Sequence, residues 1–180
     1  DAHVHIANDP KESQEDRAKH LEYFLRHGVT SIRDAAGDAR VLQELKEGVQ
    51  QGKYLGPDIY YAAFMAGPAY FEGNDREKSM VEGWPEPYAP WMQCIRPDTD
   101  LDKAMEGVKG WGCTGVQIYG GFDRETLLPL VRKAKEYGLQ VWGHATLFPA
   151  KPWDVADAGV QVISHAYMLE WEGVSEELSG

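Results

Sequence analysis

The chain has 180 residues, with 29 acidic against 18 basic side chains and a formal net charge of −11. That length allows one domain with a sizeable core, and the composition is that of an ordinary globular protein. No stripe of Lys and Arg is visible, which excludes a phosphate-tracking nucleic-acid surface and speaks against an anionic membrane. No apolar run approaches the roughly 20 residues of a membrane span.

The predicted elements alternate between short apolar runs and amphipathic helical stretches. DAHVHIA (1–7) reads as a short strand. KESQEDRAKHLEYFLRHG follows as a helix, with Ala18, Leu21, Phe24 and Leu25 at helical spacing and Gly28 as its stop. VTSIRDAAGD reads as a second strand ending in a turn, ARVLQELKEGVQQG as a second helix and DIYYAAFMAG as a third strand. Residues 67–97 break the rhythm: this stretch is rich in Pro, Gly and aromatics, and too long for a routine connection. The alternation then resumes with DTDLDKAMEGVKGWG as a helix capped by Asp98 or Thr99. TGVQIYGG (strand), DRETLLPLVRKAKEYG (helix), LQVWGHAT (strand), KPWDVADAG (short helix) and VQVISHAY (strand) follow, and EWEGVSEELSG opens a further helix.

Six βα-type units in order predict an α/β domain over 1–180, a parallel sheet with its helices packed outside. Cys94 and Cys113 lie in no zinc-type spacing, so two reduced thiols and one disulfide both remain open. The chain starts at Asp1 without a methionine, which reads as a trimmed chain or a part of a longer one. Its compartment stays open.

Four of the six histidines fall at or near the C-terminal ends of predicted strands: His3 and His5 on the first, His144 on the fifth, His165 on the sixth. Positions i and i+2 of a strand share a face, so His3 and His5 present both imidazoles to one side. In a (β/α)8 barrel that end of the strands is the active-site face, where distant histidines can converge on one metal. Taken singly, each motif has an ordinary reading as a hydrogen-bonded core histidine. His20 and His27, on the first helix, read as surface residues.

DAHVH, LRHGVTSIRDAAGD, GVQIYGG, GLQVWGHAT and GVQVISHA together resemble the amidohydrolase superfamily, in its imidazolonepropionase-like and Xaa-Pro dipeptidase-like branch. The resemblance implies a (β/α)8 barrel, here with about six units present and so incomplete. It implies metal ligation by His3 and His5, with His144 and His165 as further ligands or as polarisers of substrate or water. Where binuclear members carry a bridging lysine, this chain has Gln117, which implies a single divalent ion; zinc suits an imidazole-rich site, and iron, manganese or cobalt fit the same donors. The family's eighth-strand aspartate has no counterpart, since the strands that would carry it are absent.

The implied reaction is hydrolysis of an amide-type C–N bond in a small-molecule substrate, dipeptide-like or a cyclic amide, by a metal-activated water. His165 is a candidate for oxyanion stabilisation, and Asp34 for the missing base, unless it is a turn carboxylate packing beneath the site. Gln117 and Tyr119 are candidate substrate contacts. Tyr70, Phe71, Trp84, Tyr88 and Trp91 would form an apolar lid, unless the 67–97 segment buries its own aromatics. Two other readings stand beside this one: an inactive fragment or family member that binds a metal or a partner without turnover, and a non-barrel α/β domain whose histidines are incidental. An open barrel would expose strand edges that a second copy or the missing barrel segment must cover.

Overall fold

The computed structural model describes residues 1–72 and 80–174. In chain order its elements are α1 (Gln14–Arg26), β1 (Ser31–Asp34), α2 (Ala39–Gln50), β2 (Asp58–Ala66), α3 (Pro68–Glu72), β3 (Met92–Cys94), α4 (Leu101–Gly110), β4 (Gly115–Ile118), α5 (Arg124–Glu136), β5 (Gln140–His144), α6 (Pro152–Asp157) and β6 (Val162–Ser164). A 3-10 segment, Ala166–Gly173, follows β6. The strands form one parallel sheet in the order β1-β2-β4-β5-β6, with β3 also on β2. Parallel neighbours need crossovers, and the helices supply them.

Helix starts follow from local chemistry. Ser13, Asp38, Asp100 and Asp123 accept the N–H groups of Asp16, Arg40, Lys103 and Thr126 at the heads of α1, α2, α4 and α5, each satisfying an otherwise orphaned donor. Asp100 therefore caps α4, where Asp98 or Thr99 was expected; the Thr99 hydroxyl instead accepts the Arg96 N–H at 2.8 Å.

Two strand expectations change. The segment 1–7 meets the sheet through a single parallel bridge, Val4 to Asp34. The Val4 N–H donates to the Arg33 carbonyl and the Ala35 N–H to the Val4 carbonyl, both at 3.0 Å. The next rung is lost because the Ile6 N–H turns to the Asp34 carboxyl, at 2.7 Å. Conversely, the irregular stretch 67–97 contains α3 and β3. The Phe64 N–H donates to the Trp91 carbonyl and the Ile95 N–H to the Ala66 carbonyl, which places β3 on the same edge of β2 as β1, further along. Three residues are too few for an alternating pattern to declare them.

The sheet is strongly curled. The Arg33 guanidinium on β1 lies 4.2 Å from the ring centroid of Trp142 on β5, although β2 and β4 separate those strands in the sheet. At the C-terminal rim, His3 Nδ1 is 3.1 Å from Ser164 Oγ on β6, so the first segment meets the last strand. On β2 and β4 the alternation buries Ile59, Tyr61, Met65, Val116 and Ile118 in the core beneath the helices. Arg33, Tyr60, Gln117 and Trp142 take the concave side. This trough of parallel strands with helices outside is an incomplete (β/α)8-type barrel. Among the described residues no helix is long and apolar enough to cross a membrane, and Cys94 and Cys113 are both free thiols.

Candidate metal and substrate site

His3, His5, His144 and His165 lie side by side at the C-terminal rim of the trough. The ring centroids of His3 and His5 are 5.0 Å apart, those of His3 and His165 are 5.0 Å apart, and those of His144 and His165 are 4.8 Å apart. Tyr119 stacks on His144 at 4.2 Å. His20 and His27 stay on the surface of α1.

The local backbone explains the pair at the start of the chain. His5 Nδ1 lies 3.3 Å from the Ala36 carbonyl oxygen; a carbonyl only accepts, so Nδ1 carries the proton and the lone pair of the neutral ring sits on Nε2. His5 Nε2 and His3 Nε2 are 3.2 Å apart. Without an ion, His3 must donate Nε2–H to His5, and the Ser164 hydroxyl then donates to His3 Nδ1. With an ion between the two Nε2 atoms, His3 takes the other tautomer and the hydroxyl accepts. A tetrahedral site with metal–nitrogen bonds of about 2.0–2.1 Å puts neighbouring nitrogens about 3.3–3.4 Å apart. The His3–His5 pair fits that chemistry.

Burial and the neighbouring imidazoles push the His3 and His144 pKa values down to about 4, so both rings are neutral at pH 7 with a lone pair to offer. His144 Nε2 is buried and has no hydrogen-bond partner among the described residues. The same holds for both amide atoms of Gln117, a fully buried side chain on the adjacent strand β4. Such orphaned groups cost about 1–3 kcal/mol each unless something binds them. Among the described residues, however, no three His, Cys, Asp or Glu side chains converge on one point as placed.

Asp34 is fully buried and its carboxyl is occupied by backbone. Oδ2 accepts the Ile6 N–H at 2.7 Å and Oδ1 the Ala36 N–H at 3.1 Å. It therefore fixes the chain beside His5 and the peptide whose carbonyl orients the His5 ring, which is a positioning geometry. Burial raises its pKa to about 7 against the pull of the Ile6, Ala36 and Ala7 N–H groups.

The aromatics of residues 67–97 divide. Tyr70 stacks on Tyr119 at 5.6 Å and faces the histidines' side of the trough. Trp91 is fully buried, donates to the Met80 carbonyl, and forms a cluster with Trp84 and Trp111. Phe71 meets Tyr88 at 5.0 Å. Much of this segment buries its own rings; residues 73–79 lie outside the described residues.

Sequence reasoning missed two supporting residues. Ser164 stands beside His165 but serves His3, a contact only the curl of the sheet creates. Arg17 is buried on α1 and donates to the Ile6 and Asp9 carbonyls, tying down the loop after the histidine pair. A charged residue within a helical pattern gives no signal of that task.

The fold is half of the barrel found in amidohydrolase-type proteins. A crystal structure of A. niger ochratoxinase matches 96% of this chain and 48% of its own, at 17% identity and a TM-score of 0.68. A Xaa-Pro dipeptidase with methionine bound in its active site matches the same shares, at 22% identity and 0.69. Molinate hydrolase matches 97% of this chain and 47% of its own, at 13% identity and 0.66. This chain thus spans about half the length of these proteins. No family model and no curated protein matches the sequence.

Proposed function

We propose that the protein carrying this chain is a metal-dependent hydrolase of amide-type C–N bonds, with a dipeptide-like or cyclic amide substrate. The observation that carries the reading is the approach of His3 Nε2 to His5 Nε2 at 3.2 Å, with each ring's Nδ1 held from behind. The structural neighbours include an ochratoxinase and a Xaa-Pro dipeptidase.

In this reading His3 and His5 hold one divalent ion, for which zinc suits the imidazole donors, and His144 or His165 completes the set after a modest side-chain shift. An ion held there would supply Lewis-acid activation of water and of the scissile carbonyl. Ser164 and the Ala36 carbonyl keep both Nε2 lone pairs aimed inward. Gln117 and Tyr119 contact substrate, and whichever histidine does not ligate donates a hydrogen bond to the developing oxyanion. Asp34, with its oxygens on backbone N–H groups, acts by position; the proton-shuttling carboxylate is not this one.

Elemental analysis of protein purified without chelator or added metal tests the site. About one equivalent per chain is expected, falling to under a tenth in the His3→Ala, His5→Ala double variant with its circular dichroism unchanged. Two equivalents overturn the single-ion site, and none, or metal retained by the double variant, overturns the histidine pair as its holder. A second reading, metal binding without turnover, is favoured by Asp34, whose oxygens both accept backbone N–H groups and so do not serve as a base; a metal-loaded protein that cleaves no member of an amide panel supports it.

A further inference from the structure

Beside the histidines lies a cavity of about 410 Å³, which shares His144 and Tyr119 with the site described above. Its walls come from α3, the end of β4, the loop after β5 and the 3-10 segment: Tyr70, Tyr119, Leu147, Phe148, Met168 and Trp171, with His144 at one end. Among the described residues no charged side chain lines it. Several of the polar groups around it are already paired with one another. The Thr146 hydroxyl donates to the Met168 carbonyl at 3.0 Å. Gly121 and Phe122 both donate to the Leu147 carbonyl, and the Gly120 carbonyl accepts the Gly67 N–H. At the His144 end the opposite holds, because Nε2 there is buried and unpartnered among the described residues.

We infer that this cavity is the subsite for an uncharged aromatic or large aliphatic group of the substrate, the group whose neighbouring amide lies at the histidines. The inference rests on the hydrolase reading for the identity of the polar end. A pocket of this volume with mainly aromatic and aliphatic walls selects such a ligand: burial of apolar area drives binding, while a carboxylate or ammonium entering it would lose its hydration with no charged partner among the described residues.

A second observation points the same way. Among the described residues only two non-glycine residues have positive φ, Phe148 at 27° and His165 at 63°. Phe148 lines the cavity from the loop after β5, and His165 follows β6 with its ring 4.8 Å from that of His144 at the cavity's end; left-handed backbone at bulky residues concentrates where a site constrains it. Phe148 is 38% exposed, with its ring 5.3 Å from Trp171. Two large aromatic rings are thus held half open to solvent, where core packing alone would bury them.

Trp171 makes the test direct. Titration of the intact chain with N-acetyl-phenylalanine amide, N-acetyl-aspartate amide and N-acetyl-lysine amide is followed by tryptophan fluorescence and calorimetry, with metal content read in the same samples. The phenylalanine compound is expected to bind at least tenfold tighter than either charged one. Trp171→Ala should remove about tenfold of that affinity, Trp171→Phe should restore most of it, and neither should change metal content. Equal affinity for the three compounds, no binding of any, or an unaffected Trp171→Ala variant overturns the inference. A preference that persists in protein holding no metal leaves the subsite standing and sinks the metal site; metal without preference does the reverse.

Discussion

Asp34→Ala should lower the unfolding free energy by about 3–5 kcal/mol, one of the largest losses available to a single substitution in this chain. The carboxyl is fully buried and accepts the N–H groups of Ile6 and Ala36. Alanine leaves both donors buried without acceptors, at about 1–3 kcal/mol each, and opens a small cavity. The first segment meets β1 through one bridge, and its other ties include the Arg33 N–H on the Asp1 carbonyl and the Arg17 contacts to the Ile6 and Asp9 carbonyls. Urea denaturation measures the loss, and metal content should fall with it because the Ala36 carbonyl that orients His5 is no longer fixed. A loss under about 1 kcal/mol would mean that the N–H groups find water and that the carboxyl is not what joins segment and sheet.

The same residue carries a pH signature whose sign decides between two forces. Burial lifts the folded-state pKa to about 7 from an ordinary value of 3.8. The native state then binds more protons than the unfolded chain between those values. Stability from this group is complete below about pH 4 and drains away as pH rises toward 7, by about 1.4 kcal/mol for each unit of difference. His3 and His144, depressed from 6.5 to about 4, work in the opposite direction: their contribution is present above pH 6.5 and is lost as pH falls toward 4. Comparing wild type with Asp34→Asn removes the histidines from the balance. Wild-type stability minus that of Asp34→Asn should be highest near pH 4 and fall as pH rises toward 7. A signed difference that rises with pH would show that the three N–H groups outweigh burial and that the carboxyl is ionised in the fold.

Much of this architecture was legible because it repeats a simple physical pattern. Val/Ile-rich runs alternate with amphipathic stretches that end in glycine, and α1, α2, α4, α5 and α6 fall inside their predicted stretches, while α3 lies in the segment read as irregular. The gathering of His3, His144 and His165 was legible too, since strand ends of parallel units share one rim. What escaped depends on curvature or on side chains replacing backbone. The pairing of Ser164 with His3 needs the trough to close on itself. The first strand shrinks to a bridge because a carboxylate captures one N–H, which no periodicity reports. β3 has three residues and hides among aromatics that look like a lid. The apolar cavity is assembled from four separate segments, and no one of them is unusual alone.

Gly67→Ala should be the most disruptive substitution at the rim. A Cβ at Gly67 would sit 1.8 Å from the Gly121 carbonyl oxygen and 2.6 Å from its carbonyl carbon, atoms of a backbone that cannot swing aside as a side chain does. Relief requires the end of β2 and the turn after β4 to separate, breaking the 2.9 Å hydrogen bond from the Gly67 N–H to the Gly120 carbonyl. Overpacking of this kind costs about 3 kcal/mol or more when backbone must move. Gly28→Ala is the matching control: its φ of +82° strains an alanine, but nothing lies within 4 Å of the added Cβ, so it should cost only about 1–2 kcal/mol. Thermal unfolding of both variants separates steric contact from backbone strain. The functional consequence follows from position, because the displaced turn carries Gly120 and Gly121 of the apolar cavity and adjoins Tyr119. Gly67→Ala should therefore weaken binding of the phenylalanine amide at a temperature where the variant is still folded, while Gly28→Ala leaves it unchanged. Equal stability losses in the two variants would show that the strand ends slide apart freely, and that this glycine contact does not shape the cavity.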